Sequence, residues 1–267
     1  MENQKLPAHI RLEHKRLAVE VKAGELAGLC YDGQEYMHPA EAPGWGHSDT
    51  EMFPIIGPTA QSAYRVQVPR GNAMLDQHGL FRELPYELVS SSGSEVVLEK
   101  SYKAGTPVPN SKFPDRSQLW MQVWPYPFQI VKTFSLLPDG VRVSFELHGE
   151  RDMPYMFGYH PAFRITSQAA RVHCGQREIG LEEVLAVGDR AFELPDCESL
   201  VLQDAGRLQL ESRGFGHFML WSPDPGMLCM EPITFYPYHA GPGRLHEGFR
   251  FLGDSAVTFS LSIRICQ

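Results

Sequence analysis

Four ionisable side chains in three short stretches of sequence have the chemical character needed to move a proton on a small molecule. His160 lies in YMFGYHPAFRI, among aromatic and apolar residues, and Glu231 ends the apolar run of MLCMEP. His78 and Arg82 lie close together in DQHGLFREL. An imidazole titrates near neutral pH, and an apolar setting raises the pKa of a carboxyl group. A histidine and a glutamate of this kind therefore suit general acid–base catalysis.

Each of the four residues also has a structural interpretation when it is taken alone. A histidine such as His160 is more often hydrogen-bonded inside a core than catalytic, and His78 before a glycine is typical of a turn. Arg82 could form a surface ion pair with a nearby glutamate, which contributes little stability. Glu231 is harder to explain in this way, because a buried carboxylate needs a partner or a raised pKa. Together the four residues indicate a general acid–base site.

Strands dominate the elements that must position these residues. The segment AVTFSLSIRI alternates apolar and polar residues, as a half-buried strand does. FQIVKTFSLLPDGVRVSFELHG contains two strand-like runs around Pro138-Asp139-Gly140, a turn in which proline fixes φ and glycine can adopt a positive φ. Shorter strands are predicted for RLAVEVKAG, SEVVLEKSY, RLQLES and HFMLWS.

The frequency of turn residues favours an all-β fold. With 21 prolines and 24 glycines, few windows are long enough for a helix, and GLEEVLAVGDRAFEL is the best helical candidate. Many short strands separated by turns are typical of a β-sandwich or barrel. No linker, repeat or low-complexity tract divides the sequence, so residues 1–267 are interpreted as one large domain.

The charge balance argues against several classes of partner. The sequence has 24 Lys and Arg against 32 Asp and Glu, a net charge of −8, with no basic run. Proteins that bind nucleic acid or anionic membranes usually present a basic surface, so neither partner is expected. The N-terminal residues lack the apolar segment of a secretory signal, and no apolar run has the length of a membrane span. We therefore expect a cytoplasmic protein, with a monomer and a homodimer both left open.

The sequence contains no recognised cofactor or metal motif. Its five cysteines are widely spaced and form no C-x-x-C pair, which favours reduced, buried thiols over a disulfide framework or a zinc site. His38, His47 and Asp49 share no ligand pattern. A glycine-rich phosphate loop and a G-x-S-x-G nucleophile turn are also absent from the sequence. We therefore expect no metal and no cofactor.

Four motifs in order carry a family resemblance that covers most of the chain. FPIIG, DQHGLFREL, FGYHPAF and LCMEP together resemble the aldose 1-epimerase (galactose mutarotase-like) family. They are most similar to its divergent bacterial aldose 1-epimerase-like and hexose 6-phosphate mutarotase branch. YDGQEYMHPAEAPGWGHSDTEMFPIIGP and FLGDSAVTFSLSIRI resemble the first and last strands of that family. The resemblance implies a galactose mutarotase-like β-supersandwich with a sugar cleft on its concave face.

The resemblance also implies a role for each polar residue. Glu231 matches the catalytic base, and His160 matches the histidine that protonates the ring oxygen. His78 matches the histidine that holds the sugar hydroxyls. Arg82 matches an arginine of the sugar-phosphate members. The implied activity is the interconversion of the α and β anomers of an aldohexose or a hexose 6-phosphate.

Aromatic residues near His160 are the expected apolar part of the site. Tyr155, Phe157, Tyr159 and Phe163 would exclude water, and we expect Phe163 to be one of the substrate-binding residues that face the C–H groups of the sugar.

The sequence departs from the family pattern at two points that concern the substrate. Relatives commonly have an arginine directly after FPI-x-G, whereas this chain has Pro58, which offers no charge and no donor. The family's hydroxyl-binding aspartate has no clear counterpart. Arg82, helped by Arg65, Arg70 or Lys112, could hold a phosphate. A neutral sugar and a sugar phosphate therefore stay equally open as the small-molecule partner.

A second function class fits the same cleft, namely a non-catalytic carbohydrate-binding or sugar-sensing module. The presence of both Glu231 and His160 argues against it, because binding alone does not need an acid–base pair. A lyase on the same sandwich is the third interpretation. It is less favoured, since no matching set of tyrosine, lysine or metal ligands is found in the sequence.

Overall fold

The computed structural model describes residues 7–241 and 243–266 as a largely β structure. The strands are β1 (His9–His14), β2 (Leu17–Lys22), β3 (Glu25–Tyr31), β4 (Gln34–Glu35), β5 (Glu51–Met52), β6 (Arg65–Val68), β7 (Gly71–Met74), β8 (Glu87–Ser91), β9 (Glu95–Tyr102), β10 (Val108–Pro109), β11 (Met121–Gln122), β12 (Phe128–Leu137), β13 (Gly140–Gly149), β14 (Pro154–Tyr155), β15 (Gly158–Tyr159), β16 (Ala162–Arg164), β17 (Arg171–Cys174), β18 (Arg177–Gly180), β19 (Phe192–Leu194), β20 (Ser199–Gln203), β21 (Arg207–Arg213), β22 (His217–Trp221), β23 (Met227–Ile233), β24 (Arg250–Phe251) and β25 (Val257–Cys266). One α-helix, α1 (Leu181–Val187), lies in this part of the chain. Short 3₁₀ turns span Ala60–Ser62, Phe81–Glu83, Gly188–Arg190, Pro237–His239 and Leu245–Gly248.

Two large antiparallel sheets form the body of the fold. The nine-stranded sheet has the order β18-β17-β20-β21-β25-β13-β12-β9-β8. The six-stranded sheet has the order β19-β22-β23-β15-β5, with β16 also paired to β23. Strands β1 to β4 form a separate four-stranded sheet, and three two-stranded ribbons complete the described structure. The predicted all-β class is confirmed, whereas the interpretation of residues 1–267 as one domain stays a prediction.

Alternation along the long strands explains how the nine-stranded sheet buries one face. In β25 the side chains of Phe259, Leu261 and Ile263 are buried, as the sequence pattern predicts. Burial of a side chain of this size stabilises the fold by about 1.5–3 kcal/mol. In β12 the buried row includes Lys132 between Ile130 and Phe134, so one inward position carries a charge.

The predicted hairpin around Pro138 and Asp139 is present, but glycine serves a different purpose there. Leu137 pairs with Gly140, so the turn contains two residues. Gly140 does not take a positive φ. A Cβ atom at this position would lie 1.9 Å from the carbonyl oxygen of Ile263, so glycine is needed because strand β25 passes close by.

The helical prediction over residues 180–194 is correct only for its first half. Helix α1 ends at Val187, and Gly188 follows with a φ of 66°. Glycine adopts a positive φ of this kind with little strain, which allows the chain to leave the helix here. The chain then forms a 3₁₀ turn and strand β19, where Leu194 is buried.

Two further expectations concern the burial of the cysteines and the lack of a membrane span. All five cysteines are free thiols, but only Cys197 and Cys229 are buried. The other three are half-buried, which corrects the expectation that all are inside the core. Within the described residues, no helix is long and apolar enough to cross a membrane.

A close backbone approach at Gly79 yields a prediction about stability. Gly79 has a φ of +70°, and a Cβ atom there would lie 2.3 Å from the carbonyl oxygen of Phe53. Gly33 has a similar φ of +84° with nothing within 4 Å. We expect Gly33→Ala to lower the free energy of unfolding by about 1 kcal/mol through backbone strain alone. Gly79→Ala should cost at least about twice as much, because it adds a steric clash.

Urea unfolding of the two variants beside the wild type measures this difference. Equal losses in both variants would contradict a tight approach of the His78-Gly79 turn to Phe53.

Candidate active site

A cavity of about 540 Å³ brings together the four polar residues singled out in the sequence. His78, Arg82, His160 and Glu231 all line it, although they come from distant parts of the chain. A cavity of this size falls within the range typical of small-molecule sites.

Glu231 lies on β23, a strand inside the six-stranded sheet whose seven residues are all buried. Its side chain is fully buried, and neither carboxyl oxygen has a hydrogen-bond partner in the structure. Burial raises the pKa of Glu231 well above its ordinary value, while the positive charge of Arg82 acts in the opposite direction. This carboxyl group therefore exchanges its proton at a higher pH than a surface glutamate does.

His160 follows β15 directly and is held by the neighbouring segment. Its backbone N–H donates to the carbonyl oxygen of Thr50 at 2.8 Å, and the N–H of Thr50 donates back at 3.3 Å. Its Nε2 atom lies 3.4 Å from Oε1 of Glu231, without the alignment of a hydrogen bond. Burial, followed by the charge of Arg82, lowers the pKa of His160 well below its ordinary value.

His78 is held in one tautomer by its surroundings. Its backbone has a φ of +72°, which is uncommon for a residue other than glycine. Nδ1 lies 2.6 Å from the carbonyl oxygen of Ile56, so this nitrogen carries the hydrogen and donates. Nε2 lies 3.2 Å from Nε2 of Gln77, whose amide group can donate to it. Burial, then the positive charge of Arg82, lowers the pKa of His78 well below its usual range.

Arg82 supplies the positive charge shared by the whole site. Its Nη2 donates to Oγ1 of Thr50 at 3.1 Å, and its Nε is buried with no partner in the structure. A guanidinium group keeps its charge at neutral pH, so it acts on His78, His160 and Glu231 alike.

Two tryptophans that the sequence analysis did not select form the apolar part of the site. The ring of Trp45 stacks on His160 at 4.3 Å and 30°, and Trp221 meets the same imidazole edge-on at 5.7 Å and 80°. Both tryptophans line the cavity. Their positions in the sequence gave a usable signal, because Trp45 lies in a Gly/Pro-rich loop and Trp221 ends a strand.

The aromatic residues expected to face the sugar lie elsewhere. Phe163 is fully buried in the hydrophobic core and does not line the cavity, so the structure does not bring it to the other site residues. Tyr155, Phe157 and Tyr159 are likewise core residues with at most 3% exposure. The apolar stretch around His160 therefore forms the core beneath the site.

Several positively charged residues belong to the cavity lining. Lys112, Arg116 and Arg190 line it together with Arg82. Of the other two arginines considered for a phosphate, neither lines it. Arg65 is exposed on β6, and Arg70 forms an ion pair with Glu150.

The position after FPI-x-G can be located against the cavity. Pro58, which occupies that position, lines the cavity. Glu231 and Asp189 are the two acidic residues in its lining. The structure assigns no hydroxyl-binding role to Asp189.

One group of side chains has the composition of a metal site. Within the described ranges, donor atoms of His160, Cys229 and Glu231 all lie within 4.8 Å of one another. Burial raises the pKa of the Cys229 thiol well above its usual range, which opposes its use as a thiolate ligand. Of the residues considered in the sequence, His47 instead contacts Glu25, and Asp49 contacts Lys132.

Comparison with solved structures defines the class of fold. A galactose mutarotase-like protein from Lactobacillus casei ATCC 334 aligns with a TM-score of 0.79 at 17% identity, over 97% of this chain and all of the other. A galactose mutarotase related enzyme from Lactobacillus acidophilus has a TM-score of 0.79 at 16% identity, over 97% of each chain. A GalM/aldose epimerase homologue from C. elegans has a TM-score of 0.68 at 9% identity, over 97% of this chain and 98% of the other. The protein therefore has the galactose mutarotase-like fold, as the resemblance implied.

Two curated proteins match part of the chain. The plasmid-encoded protein LacX of Lactococcus lactis subsp. lactis is 28% identical over 163 residues. Its chromosomal counterpart is 28% identical over the same length. Each match covers 58% of this chain and spans about half (50%) of the LacX protein. No family model matches the sequence.

The unpartnered carboxyl group leads to a prediction about stability. Because the pKa of Glu231 is raised in the folded state, the native protein binds this proton more tightly than the unfolded chain does. Folding is therefore opposed increasingly as the pH rises from the unfolded pKa toward the folded pKa, and the penalty is at its maximum above the folded pKa. We expect Glu231→Gln to raise the Tm at pH 8, by about 2–4 °C for each kcal/mol gained.

The gain should shrink toward zero near pH 4, where the carboxyl group is protonated in both states. Differential scanning calorimetry at the two pH values measures it, with Glu41→Gln at an exposed position as the matched control. An unchanged or lowered Tm at pH 8 in Glu231→Gln would argue against a carboxyl group buried without a partner.

Proposed function

We propose that the protein is a mutarotase that interconverts the α and β anomers of an aldohexose or a hexose 6-phosphate. The observation that carries the proposal is the Glu231–His160 pair. The two side chains lie 3.4 Å apart in the cavity lining, and within the described residues both carboxyl oxygens of Glu231 and Nδ1 of His160 have no hydrogen-bond partner. The printed descriptions of the fold neighbours, which name galactose mutarotase and aldose epimerase, support a reaction of this class.

In the proposed reaction Glu231 is the base and His160 is the acid. The carboxylate takes the proton of the anomeric hydroxyl while the imidazolium gives a proton to the ring oxygen. The bond between the anomeric carbon and the ring oxygen breaks, which leaves an open-chain aldehyde. Rotation about the adjacent carbon–carbon bond turns the other face of the aldehyde toward the hydroxyl. Reversal of both proton transfers then closes the ring as the other anomer.

The pair needs to hold only one proton between its two members for this cycle. Burial of the empty site favours the uncharged forms of both groups, and Arg82 favours the carboxylate form of Glu231. The anomeric hydroxyl of a bound sugar would donate to that carboxylate, which otherwise lacks a donor. Each positioned proton transfer contributes about 10²–10⁴-fold to the rate. The reaction consumes no redox equivalent and no second substrate, so the proposal includes no cofactor.

The remaining cavity residues have binding roles in this proposal. Nε2 of His78 can accept a hydrogen bond from a hydroxyl group of the sugar in place of the Gln77 amide, because Nδ1 donates to the backbone. Trp45 and Trp221 offer aromatic faces for the C–H groups, as sugar sites commonly do. Their contacts with His160, stacked for Trp45 and edge-on for Trp221, also keep water away from the imidazole.

The cations around the cavity favour a sugar phosphate over a free sugar. Lys112, Arg116 and Arg190 have no place in the proton transfers, but together they can neutralise a phosphate group. Lys112 donates to the carbonyl oxygen of Gln77 at 3.2 Å and lies 3.9 Å from Asp76, so its ammonium group is fixed near the His78 turn.

Exchange NMR on the anomeric protons is the direct test of activity. Wild-type protein should transfer saturation between the anomers of glucose 6-phosphate, and less efficiently between those of glucose and galactose. Glu231→Gln should slow this exchange by about 10²–10⁴-fold, because the base is lost. Glu41→Gln should leave it unchanged. If no sugar exchanges faster than in buffer while sugars still bind, the protein is a carbohydrate-binding module and the proposal is wrong.

The pH profile provides a separate prediction. Activity needs one proton on the Glu231–His160 pair, so it should fall at low pH, where both groups are protonated, and at high pH, where both have lost their proton. Arg82 lowers the pKa of both Glu231 and His160. We therefore expect Arg82→Gln to move both limbs of the profile of kcat/KM to higher pH, whereas Arg82→Lys should move them less because it keeps the charge.

The two limbs belong to the coupled pair and should move together. A profile of Arg82→Gln that keeps both wild-type midpoints would show that Arg82 does not act on the pair.

A further inference from the structure

Directly behind the cavity wall lies a group of buried charges that the proposed reaction does not use. We call it the charge cluster; it consists of Asp49, Glu51, Tyr86, Lys100, Lys132 and Tyr159. Its four charged members are at most 5% exposed. Their two positive and two negative formal charges balance.

Hydrogen bonds connect the members of the charge cluster. Nζ of Lys132 donates to Oε1 of Glu51 at 2.7 Å and to Oδ1 of Asp49 at 3.1 Å. The hydroxyl of Tyr159 donates to Asp49, and that of Tyr86 donates to Oε1 of Glu51 at 2.6 Å.

Lys100 links the charge cluster to a second segment of the chain. Its Nζ lies 4.0 Å from Oε2 of Glu51 and donates to the carbonyl oxygen of Phe81 at 3.0 Å. Phe81 directly precedes Arg82.

Three members of the charge cluster are direct neighbours in sequence of residues at the site. Thr50 lies between Asp49 and Glu51, and His160 follows Tyr159. Successive side chains of an extended chain point to opposite sides, so a residue fixed behind the wall orients its neighbour toward the cavity. Thr50 connects the two sides, because it pairs with the backbone of His160 and accepts a hydrogen bond from Arg82.

Glu51 adds a long-range electrostatic link to the site. Glu51 acts on the guanidinium group of Arg82 together with Glu83, which has the largest effect, Glu231 and Asp76. Of these carboxylates Glu51 belongs to the charge cluster and Glu231 to the cavity.

Stability alone does not account for a buried cluster of this kind. Desolvation of buried charges offsets most of their mutual attraction, and well-packed apolar residues often stabilise a core equally well or better. Hydrogen bonds to charged groups, in contrast, fix the distance and direction between two segments. A reaction that depends on a pair 3.4 Å apart requires that kind of placement.

We propose that the charge cluster is a positioning device that fixes His160 and Arg82 for catalysis, with Tyr159 and Lys100 as its two points of attachment. The proposal rests on the proposed function and adds positioning residues to it. None of the six members lines the cavity, so none is proposed to touch the sugar.

Removal of single hydroxyl groups tests the proposal with little risk of unfolding. Tyr159→Phe and Tyr86→Phe each remove one hydrogen bond of the charge cluster and keep the aromatic ring. Tyr102→Phe is the control, because its hydroxyl donates to the carbonyl oxygens of Thr106 and Trp124 and accepts from the N–H of Trp124, outside the charge cluster. Tyr102→Phe should lose at least as much stability as the other two variants, because it breaks more hydrogen bonds.

Kinetics and NMR should separate the three variants. We expect Tyr159→Phe and Tyr86→Phe to lower kcat by about 10-fold with KM within about 2-fold of wild type, since small misplacements of catalytic groups are costly. The ¹⁵N signals of the His160 ring and the Arg82 guanidinium should shift in both variants. Tyr102→Phe should keep the wild-type kcat and signals although it loses at least as much Tm.

Two different failures can be told apart. If both charge-cluster variants lose Tm but keep the wild-type kcat and signals, the charge cluster is only structural and the inference is wrong. If wild-type protein exchanges no anomers, the proposed function fails instead. The NMR signals then decide alone: shifts in Tyr159→Phe and Tyr86→Phe but not in Tyr102→Phe support positioning, and unmoved signals overturn it.

Discussion

The burial of one carboxyl group without a hydrogen-bond partner is the constraint on which the rest of the site depends. Glu231 lies on a fully buried strand, and no backbone or side-chain donor reaches its oxygens in the structure. An unpartnered carboxylate is costly to bury, and the neighbouring groups reduce that cost. Arg82 reduces the cost by its charge, and His160 approaches without forming a hydrogen bond. As a result, Glu231 and His160 line the cavity, and both carboxyl oxygens of Glu231 can still accept a hydrogen bond from a ligand.

The arrangement of charge around Arg82 follows from the same constraint. A guanidinium group beside a buried carboxyl also needs balance on its other side, and Glu51 provides negative charge behind the wall. Glu51 in turn is paired with Lys132, which occupies an inward position of β12 where an apolar residue would be expected. Two layers of charge therefore lie on opposite sides of the segments that contain Thr50 and His160.

The fold leaves the choice of substrate to side chains outside the sheets. The fold neighbours share the architecture at 9–17% identity, so the architecture alone does not define a substrate. In this chain the relevant loops bring Lys112, Arg116 and Arg190 to the cavity and leave Pro58 at the position after FPI-x-G. The proposed preference for a sugar phosphate depends on those loop residues, whereas the proposed acid–base chemistry depends on the sheet.

The sequence by itself determined the all-β class and the long strands, and it singled out the four polar residues that line the cavity. Alternation along β25 and the unusual Glu231 at the end of an apolar run are local signals, since each depends only on neighbours in the chain. Only the tertiary structure decided that Phe163 packs in the core, that Trp45 and Trp221 enclose His160, and that Lys132 meets Glu51. A two-residue period shows that side chains alternate between two sides of a strand. It does not show which distant segment covers each side, because that depends on how the sheets and loops pack together.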